Sequence, residues 1–393
     1  MANVALMGHV KNAVTIDDLK RMAHRRLPKF VIGYAEQGAG NGACATGNVD
    51  AFEGYNLVPR ALAGQEPVDT SIQIFGRRYA QPFGISAVGV SGLYRRGADT
   101  LLAEAAREAN IPFILSGSGA ASIETVAKVA PDHTWYQLYP AKQARITNDF
   151  IDRAGNAGVE VLVITVDYPE PNRSEVAQRT GVSVGRGPTL RTFPSLAWNV
   201  AQHPGWLLDF IASGGTPELE SWRNYAPKGA KPAEIFKVFN ENWCGAFGWD
   251  EIERIRAVWP GKLVIKGILS AEDVPRAVAA GADAVTISNH GGNKLDRAIP
   301  SLQALAKICS EQRAAHDVLL FFDGGIRRGT DVLTAMAVGA SFCFLGRSTL
   351  YGVAAGGAAG ARRALEIMSE ETRYALAMIG CRRAADICRD FLA

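Results

Sequence analysis

Between Pro82 and Leu345, short runs rich in Val, Ile, Leu and Phe alternate with stretches of helical period, the pattern of βα units around a parallel sheet. Eight such runs can be counted: Phe83–Ser86, Phe113–Ser116, Trp135–Leu138, Leu162–Thr165, Leu263–Lys266, Ala284–Ile287, Val318–Phe322 and Phe342–Leu345. Eight parallel strands predict an α/β protein built as a closed (β/α)8 (TIM) barrel over about 82–360, not an open doubly wound sheet. A helical stretch from Thr15 to Tyr34 precedes the barrel and a long helix from Ala361 to Ile379 follows it, so the 393 residues read as one domain. The interval from Thr165 to Trp249 is far longer than a βα loop, which predicts an insertion over about 176–246. The centre of that insertion, 195–214, is rich in Trp, Leu and Phe and poor in Lys and Arg. It reads as a lid or a subunit contact, with an interfacial membrane segment as the alternative.

Composition narrows the class without naming a function. Hydrophobic residues at 48% and charged residues at 21% fit a soluble chain with an ample core. A net charge of +3 points neither to nucleic acid nor to an acidic partner. The six cysteines form no C-x-x-C pair, and the six histidines are scattered without ligand spacing, which disfavours a zinc site and fits a reducing cytoplasm. The first 25 residues lack the apolar core of a signal peptide, and no run is long enough for a spanning helix. Gly38-Ala39-Gly40-Asn41-Gly42-Ala43 has the spacing of a dinucleotide loop but follows a helical segment instead of a strand, so NAD is not expected there.

Active sites of such barrels lie at the C-terminal ends of the strands, and those ends are polar here. They carry Ser116, Gln137 to Tyr139, Thr165-Val166-Asp167, Lys266, and Ser288-Asn289-His290-Gly291-Gly292. Strand seven ends in Asp323-Gly324-Gly325-Ile326-Arg327-Arg328-Gly329 and strand eight in Gly346-Arg347. Glycine lets backbone N–H groups approach a phosphate and arginine grips it with two parallel bonds, so these two loops predict a phosphate-bearing ligand.

Together with Leu27-Pro28-Lys29 and Trp135-Tyr136-Gln137-Leu138-Tyr139, these motifs resemble the FMN-dependent α-hydroxy acid oxidases and dehydrogenases, from about Ile16 to Leu392. The resemblance implies FMN, with the backbone of Ala87, Val88 and Gly89 at the flavin ring and Ser116, Gln137, Thr165, Lys266 and Ser288 at its polar edge. It implies Asp323, Gly325, Arg327, Gly346 and Arg347 at the phosphate. His290 is then the base, Asp167 orients it, Lys266 supplies fixed positive charge, and Tyr139 and Tyr34 reach the substrate. The resemblance also implies a homotetramer, and oxygen or a quinone as electron acceptor. The insertion looks most like that of the mandelate dehydrogenases, whose matching segment contacts membrane, so a cytoplasmic protein with peripheral contact to the inner membrane stays open beside a plain cytoplasmic one.

Two positions depart from the family. Three residues after the histidine it has arginine where this chain has Asn293, followed by Lys294; seven after the strand-four aspartate it has arginine where this chain has Ser174, preceded by Arg173. The substrate-binding set therefore becomes Tyr34, Tyr139, Arg173, Asn293 and His290. Each lost charged hydrogen bond weakens a small carboxylate's binding by about 1.5–3 kcal/mol. Two substrates stay open: a 2-hydroxy acid, and a relative whose carboxylate is masked or absent, such as an ester, amide or peptide. A flavin-binding protein without turnover is the third reading.

Overall fold

The computed structural model describes residues 9–63, 67–170, 175, 193–311 and 318–393. Arg173, Ser174 and the start of the insertion lie outside these residues.

Eight parallel strands close into a barrel: β3 (Phe83–Ile85), β4 (Phe113–Leu115), β5 (Thr134–Leu138), β6 (Val161–Thr165), β7 (Lys262–Ile268), β8 (Ala284–Ile287), β9 (Leu319–Asp323) and β10 (Phe342–Leu345), with β10 pairing back onto β3. They coincide with the eight runs read from the sequence. Outside the ring lie α4 (Ala98–Glu108), α5 (Ile123–Val129), α6 (Ala144–Asn156), α10 (Trp249–Val258), α11 (Asp273–Ala279), α12 (Ser301–Glu311), α13 (Gly329–Val338) and α14 (Arg347–Met378). Each strand is therefore followed by a helix, as a right-handed parallel crossover requires. Before the barrel come α1 (Ile16–Arg26), α2 (Lys29–Glu36) and α3 (Ala43–Asp50). The insertion contributes α7 (Phe193–Ala201), α8 (Pro204–Ala212) and α9 (Pro232–Asn242) between β6 and α10.

Strand side chains alternate between two cores. Ile85, Leu115, Tyr136, Leu138, Leu162, Ile164, Ile265 and Phe322 face the helices. Ile114, Trp135, Val163, Val264, Phe321, Phe342 and Phe344 fill the barrel, so its centre is packed by large rings. The lower end is plugged by a hairpin that the sequence reading passes over, β1 (Ile72–Ile74) and β2 (Arg77–Tyr79). Its two-residue turn, Phe75-Gly76, has positive φ at both positions (52° and 82°), the geometry that matches strand twist. The phenyl ring of Phe75 then packs on Trp135 and Phe321 from below.

Two expected helices differ in detail. The stretch from Thr15 to Tyr34 is two helices, because Leu27 precedes Pro28 and is forced extended (φ −92°, ψ 138°). Thr15 starts the first with a capping box to Asp18. The C-terminal helix begins earlier than Ala361, directly at Arg347, and is interrupted where Gly356 and Gly357 leave helical geometry. Gly352 and Gly360 meet across that break so closely that a Cβ on Gly360 would lie 1.9 Å from the Gly352 carbonyl oxygen. The Gly38–Gly42 turn joins α2 to α3 with no strand before it.

The ring-filled interior carries a stability prediction. Trp135 is 2% exposed and touches Phe75, Phe321 and Phe344, so Trp135→Ala leaves a cavity the neighbouring strands cannot close. A loss of about 3–5 kcal/mol is expected in denaturant unfolding; an unchanged midpoint would show that the barrel centre is not the structural core.

Candidate active site

Alternation along the strands decides what faces into the barrel mouth. On five of the strands a polar residue stands two positions beyond the interior one: Ser116 after Ile114, Gln137 after Trp135, Thr165 after Val163, Lys266 after Val264 and Asp323 after Phe321. All five are buried. Lys266 Nζ is ion-paired with Asp323 and donates to Ser288 Oγ at 2.7 Å, while Ser86 Oγ donates to Asp323 at 3.1 Å. Ser116 Oγ and the Gly117 N–H both donate to Gln137 Oε1, at 3.2 and 3.1 Å. Gln137 Nε2 and Thr165 Oγ1 are left buried without a partner among the described residues. Orphaned polar atoms in a dry site cost about 1–3 kcal/mol each unless a ligand meets them.

His290 sits on the loop after β8 with φ +58°, a conformation rarely adopted by a residue with a Cβ. A buried network holds it there. Asn289 Nδ2 donates to Asn48 Oδ1 at 2.8 Å and to the Ile299 carbonyl at 3.0 Å, its Oδ1 accepts from Asn48 Nδ2 at 2.7 Å, and the His290 N–H donates to Ser288 Oγ at 3.1 Å. The imidazole Nδ1 hydrogen-bonds Asp167 Oδ1 at 3.0 Å, and Nε2 carries no hydrogen bond from the described residues. Burial and then Lys294 push the His290 pKa below its ordinary value against the pull of Asp167, so the ring is neutral near pH 7. Burial works to raise the Asp167 carboxyl, but His290, Lys266 and Lys294 outweigh it and hold it below the usual carboxylate value.

Around this pair stands an aromatic wall. Tyr168, next to Asp167, lies 6.3 Å from the His290 ring and 4.3 Å from Trp243; Tyr139 lies 4.8 Å from Trp243 (centroid distances). Tyr34 stacks on Tyr94 and couples to Tyr168; burial is the main cause that pushes its hydroxyl up to about 12. Burial, then Asp167, raises Tyr139 further. Both phenols stay protonated donors at neutral pH. Lys294 Nζ rests 3.2 Å from the Tyr168 ring centroid, a cation–π contact, and burial holds its pKa down to about 8.

At the other end of the mouth, Arg327 and Arg347 lie near each other, and no carboxylate forms an ion pair with either among the described residues. Burial lowers the Arg327 pKa, with Arg347 adding to it. Two neighbouring guanidinium groups with no ion pair among the described residues, beside a Gly346 whose Cβ position faces open space, suit an anion. Arg347 also donates to the carbonyls of Ala35, Gln37 and Gly291 at 3.1, 3.1 and 2.8 Å, which pins the end of α2 over the site. Gly325 has φ +83° and a Cβ there would fall 2.0 Å from the Asn48 carbonyl oxygen, so glycine is required for close packing.

Most residues singled out in the sequence meet here: His290, Asp167, Tyr139, Tyr34, Lys266 and Asn293 on one side, Ser116, Gln137, Thr165 and Ser288 in the mouth, Ala87 to Gly89 partly exposed at the end of β3. Asp323, grouped in the sequence with the phosphate loop, instead spends its carboxylate on Lys266 and Ser288 inside the barrel. Arg173 lies outside the described residues. Lys294, which follows Asn293 and could lend a point charge to a substrate, also lies here; Tyr168, Trp243, Phe239 and Asn48 were not singled out as site residues. Tyr168 had the one available signal, adjacency to Asp167; Trp243 and Asn48 had none, being remote in sequence.

Residues 23–393 match the family model described as FMN-dependent dehydrogenase. An L-lactate dehydrogenase of Vibrio parahaemolyticus is 33% identical over 375 residues, 95% of this chain and 97% of that protein. The crystal structure of the monotopic membrane protein (S)-mandelate dehydrogenase superposes with a TM-score of 0.91 at 31% identity, covering 97% of this chain and 99% of that one. An arginine-to-leucine variant of a mandelate oxidase, solved with 2-hydroxy-phenylacetamide, superposes with a TM-score of 0.78 at 31% identity, covering 97% and 98%. With the barrel, the orphaned polar edge and the paired arginines all in place, this chain belongs to the family of FMN-dependent dehydrogenases.

Proposed function

We propose that this protein oxidises the CH–OH carbon of a 2-hydroxy acid to the 2-oxo acid, with His290 as the base. The observation that carries this reading is the His290–Asp167 bond: because Asp167 accepts from Nδ1–H, the lone pair lies on Nε2, the nitrogen left free. Nε2 takes one proton from the substrate while the CH–OH carbon gives up its electron pair and the second hydrogen to the acceptor, and the imidazolium that forms is stabilised by Asp167. FMN, when bound, supplies the two-electron acceptor. Ala87, Val88, Gly89, Ser116, Gln137, Thr165, Lys266 and Ser288 would hold its ring, and Gly325, Arg327, Gly346 and Arg347 its phosphate; Asp323 acts on it through Lys266. Tyr34 and Tyr139 donate to substrate oxygens from the aromatic wall.

A second reading has one observation in its favour. Asn293 Oδ1 is buried without a partner among the described residues, and it would accept from the N–H of an amide. The mandelate oxidase variant that holds 2-hydroxy-phenylacetamide has likewise lost an arginine.

The insertion supports a location for turnover at a membrane surface. Trp206 on α8 donates to the Leu93 carbonyl at 2.8 Å and packs edge-on against Phe30, while Asp209 is ion-paired with Arg26 and Arg95. With that face docked, Phe193, Trp198, Leu208 and Ile211 of α7 and α8 point outward, 58–70% exposed. Among the described residues no helix is long and apolar enough to cross a membrane. The patch fits peripheral contact with a bilayer, as in the monotopic relative, and a quinone dissolved there as electron acceptor.

Two experiments test these readings. In anaerobic single-turnover reduction by a panel of 2-hydroxy acids, the rate should fall as pH drops through the depressed His290 pKa, because protonation removes the base. His290→Ala should slow it about 10²–10⁴-fold with flavin retained. Asp167→Asn should move the acid limb to lower pH, since the carboxylate is what raises the imidazole pKa; a limb that stays put, or a rate within tenfold of wild type in His290→Ala, rejects the base. For the patch, Trp198→Ser with Leu208→Ser and Ile211→Ser should lower co-sedimentation with anionic phospholipid vesicles at least tenfold while leaving flavin content intact. Equal vesicle binding by the triple variant assigns the patch to a protein contact.

A further inference from the structure

Lys294 stands beside His290 with no task in the chemistry above. Its ammonium rests on the face of Tyr168, and among the described residues no carboxylate forms an ion pair with it. The charged and titratable groups that face it are Asp167, Lys266 and His290, with Tyr168 beneath and Tyr34 and Tyr139 close by. Lys266 is matched by Asp323. Before reaction, with His290 neutral, the Asp167 charge is shared between the imidazole and Lys294. Once His290 holds a proton, Asp167 is matched by the imidazolium, and among the described residues the Lys294 ammonium has no carboxylate of its own. A substrate that itself brings one negative charge supplies that partner.

We propose that Lys294 is the cation that receives the substrate carboxylate, swinging from its rest on Tyr168, so that the enzyme selects monoanionic 2-hydroxy acids against their amides and esters. The assignment rests on the reading that His290 draws the proton from a 2-hydroxy acid. An ammonium is a compact point charge with three rotatable donors, so it selects by charge and not by the two-pronged geometry of a guanidinium. Trp243 holds the Tyr168 ring from the side and so fixes where the ammonium waits. A half-turn of the Asn293 amide exchanges its orphaned carbonyl for an N–H donor, which adds a second hydrogen bond to the same carboxylate.

The test uses the flavin-loaded enzyme and two unreactive probes, phenylglyoxylate and its amide, titrated by the change in flavin absorbance. Lys294→Met should weaken phenylglyoxylate at least tenfold and the amide less than twofold. In the wild type, acid affinity should decline as pH rises through about 8, because the ammonium there loses its proton, and in Lys294→Met that decline should vanish. Lys294→Arg should keep the charge, and so recover part of the acid affinity with no decline near pH 8. Arg173→Met should weaken the acid less than Lys294→Met does. The proposal is overturned if Lys294→Met binds the acid like wild type, if acid and amide weaken equally, or if Arg173→Met shows the larger loss. Because the probes report binding alone, a wild type that binds acids through Lys294 but whose flavin no 2-hydroxy acid bleaches supports Lys294 while rejecting the proposed reaction. A wild type bleached faster by 2-hydroxy amides than by the acids overturns Lys294 and leaves CH–OH oxidation standing.

Discussion

The ion pair between Lys266 and Asp323 sets the terms for everything above it in the barrel. Both groups are buried, and a charge in that setting is tolerated only if paired and hydrogen-bonded. Lys266 comes from β7 and Asp323 from β9, and Ser288 beyond β8 and Ser86 beyond β3 complete their hydrogen bonds. Removing either partner strands the other, at a cost of about 3–5 kcal/mol. The pair thus ties the mouth together across several strands and fixes one positive charge inside it. Ser288 serves twice, since its Oγ also accepts the His290 N–H. The loop that carries His290 is thereby hung from the same network.

That loop is strained, and the strain is held by contacts from far along the chain. Positive φ at a non-glycine residue costs about 1–3 kcal/mol. The reciprocal amide pair between Asn289 and Asn48, together with the Ala39 N–H donating to the Gly292 carbonyl at 3.0 Å, offsets it. Arg347 performs a related task by holding Gly291 and the end of α2 at once. The segment before the barrel is therefore part of the active site's wall, and it brings Tyr34 with it.

The insertion joins chemistry to surroundings. Its last turn places Phe239 and Trp243 against Tyr139 and Tyr168, the ring on which Lys294 rests. Its α8 docks through Trp206 and Asp209, and α7 and α8 leave an apolar face outward. One stretch of chain thus contributes both to the aromatic wall beside His290 and to the exposed patch.

The sequence by itself determined the eight strands and, through the two-residue period of each, the polar residues that crown the barrel interior. Period two is a local property, written into neighbours such as Trp135 and Gln137 or Val264 and Lys266, and needs no knowledge of distant contacts. Phe75-Gly76 also carried a local signal for its hairpin, hidden because each strand is only three residues long. The Leu27-Pro28 break was legible in principle for the same local reason. Only the tertiary structure decided that Lys294 lies over Tyr168, that Trp243 backs Tyr139, that Asp323 turns inward to Lys266, and that Asn48 braces the His290 loop. Those contacts join positions remote along the chain, and they exist because the barrel closes and the insertion folds over its mouth. No periodicity in the intervening sequence encodes that meeting.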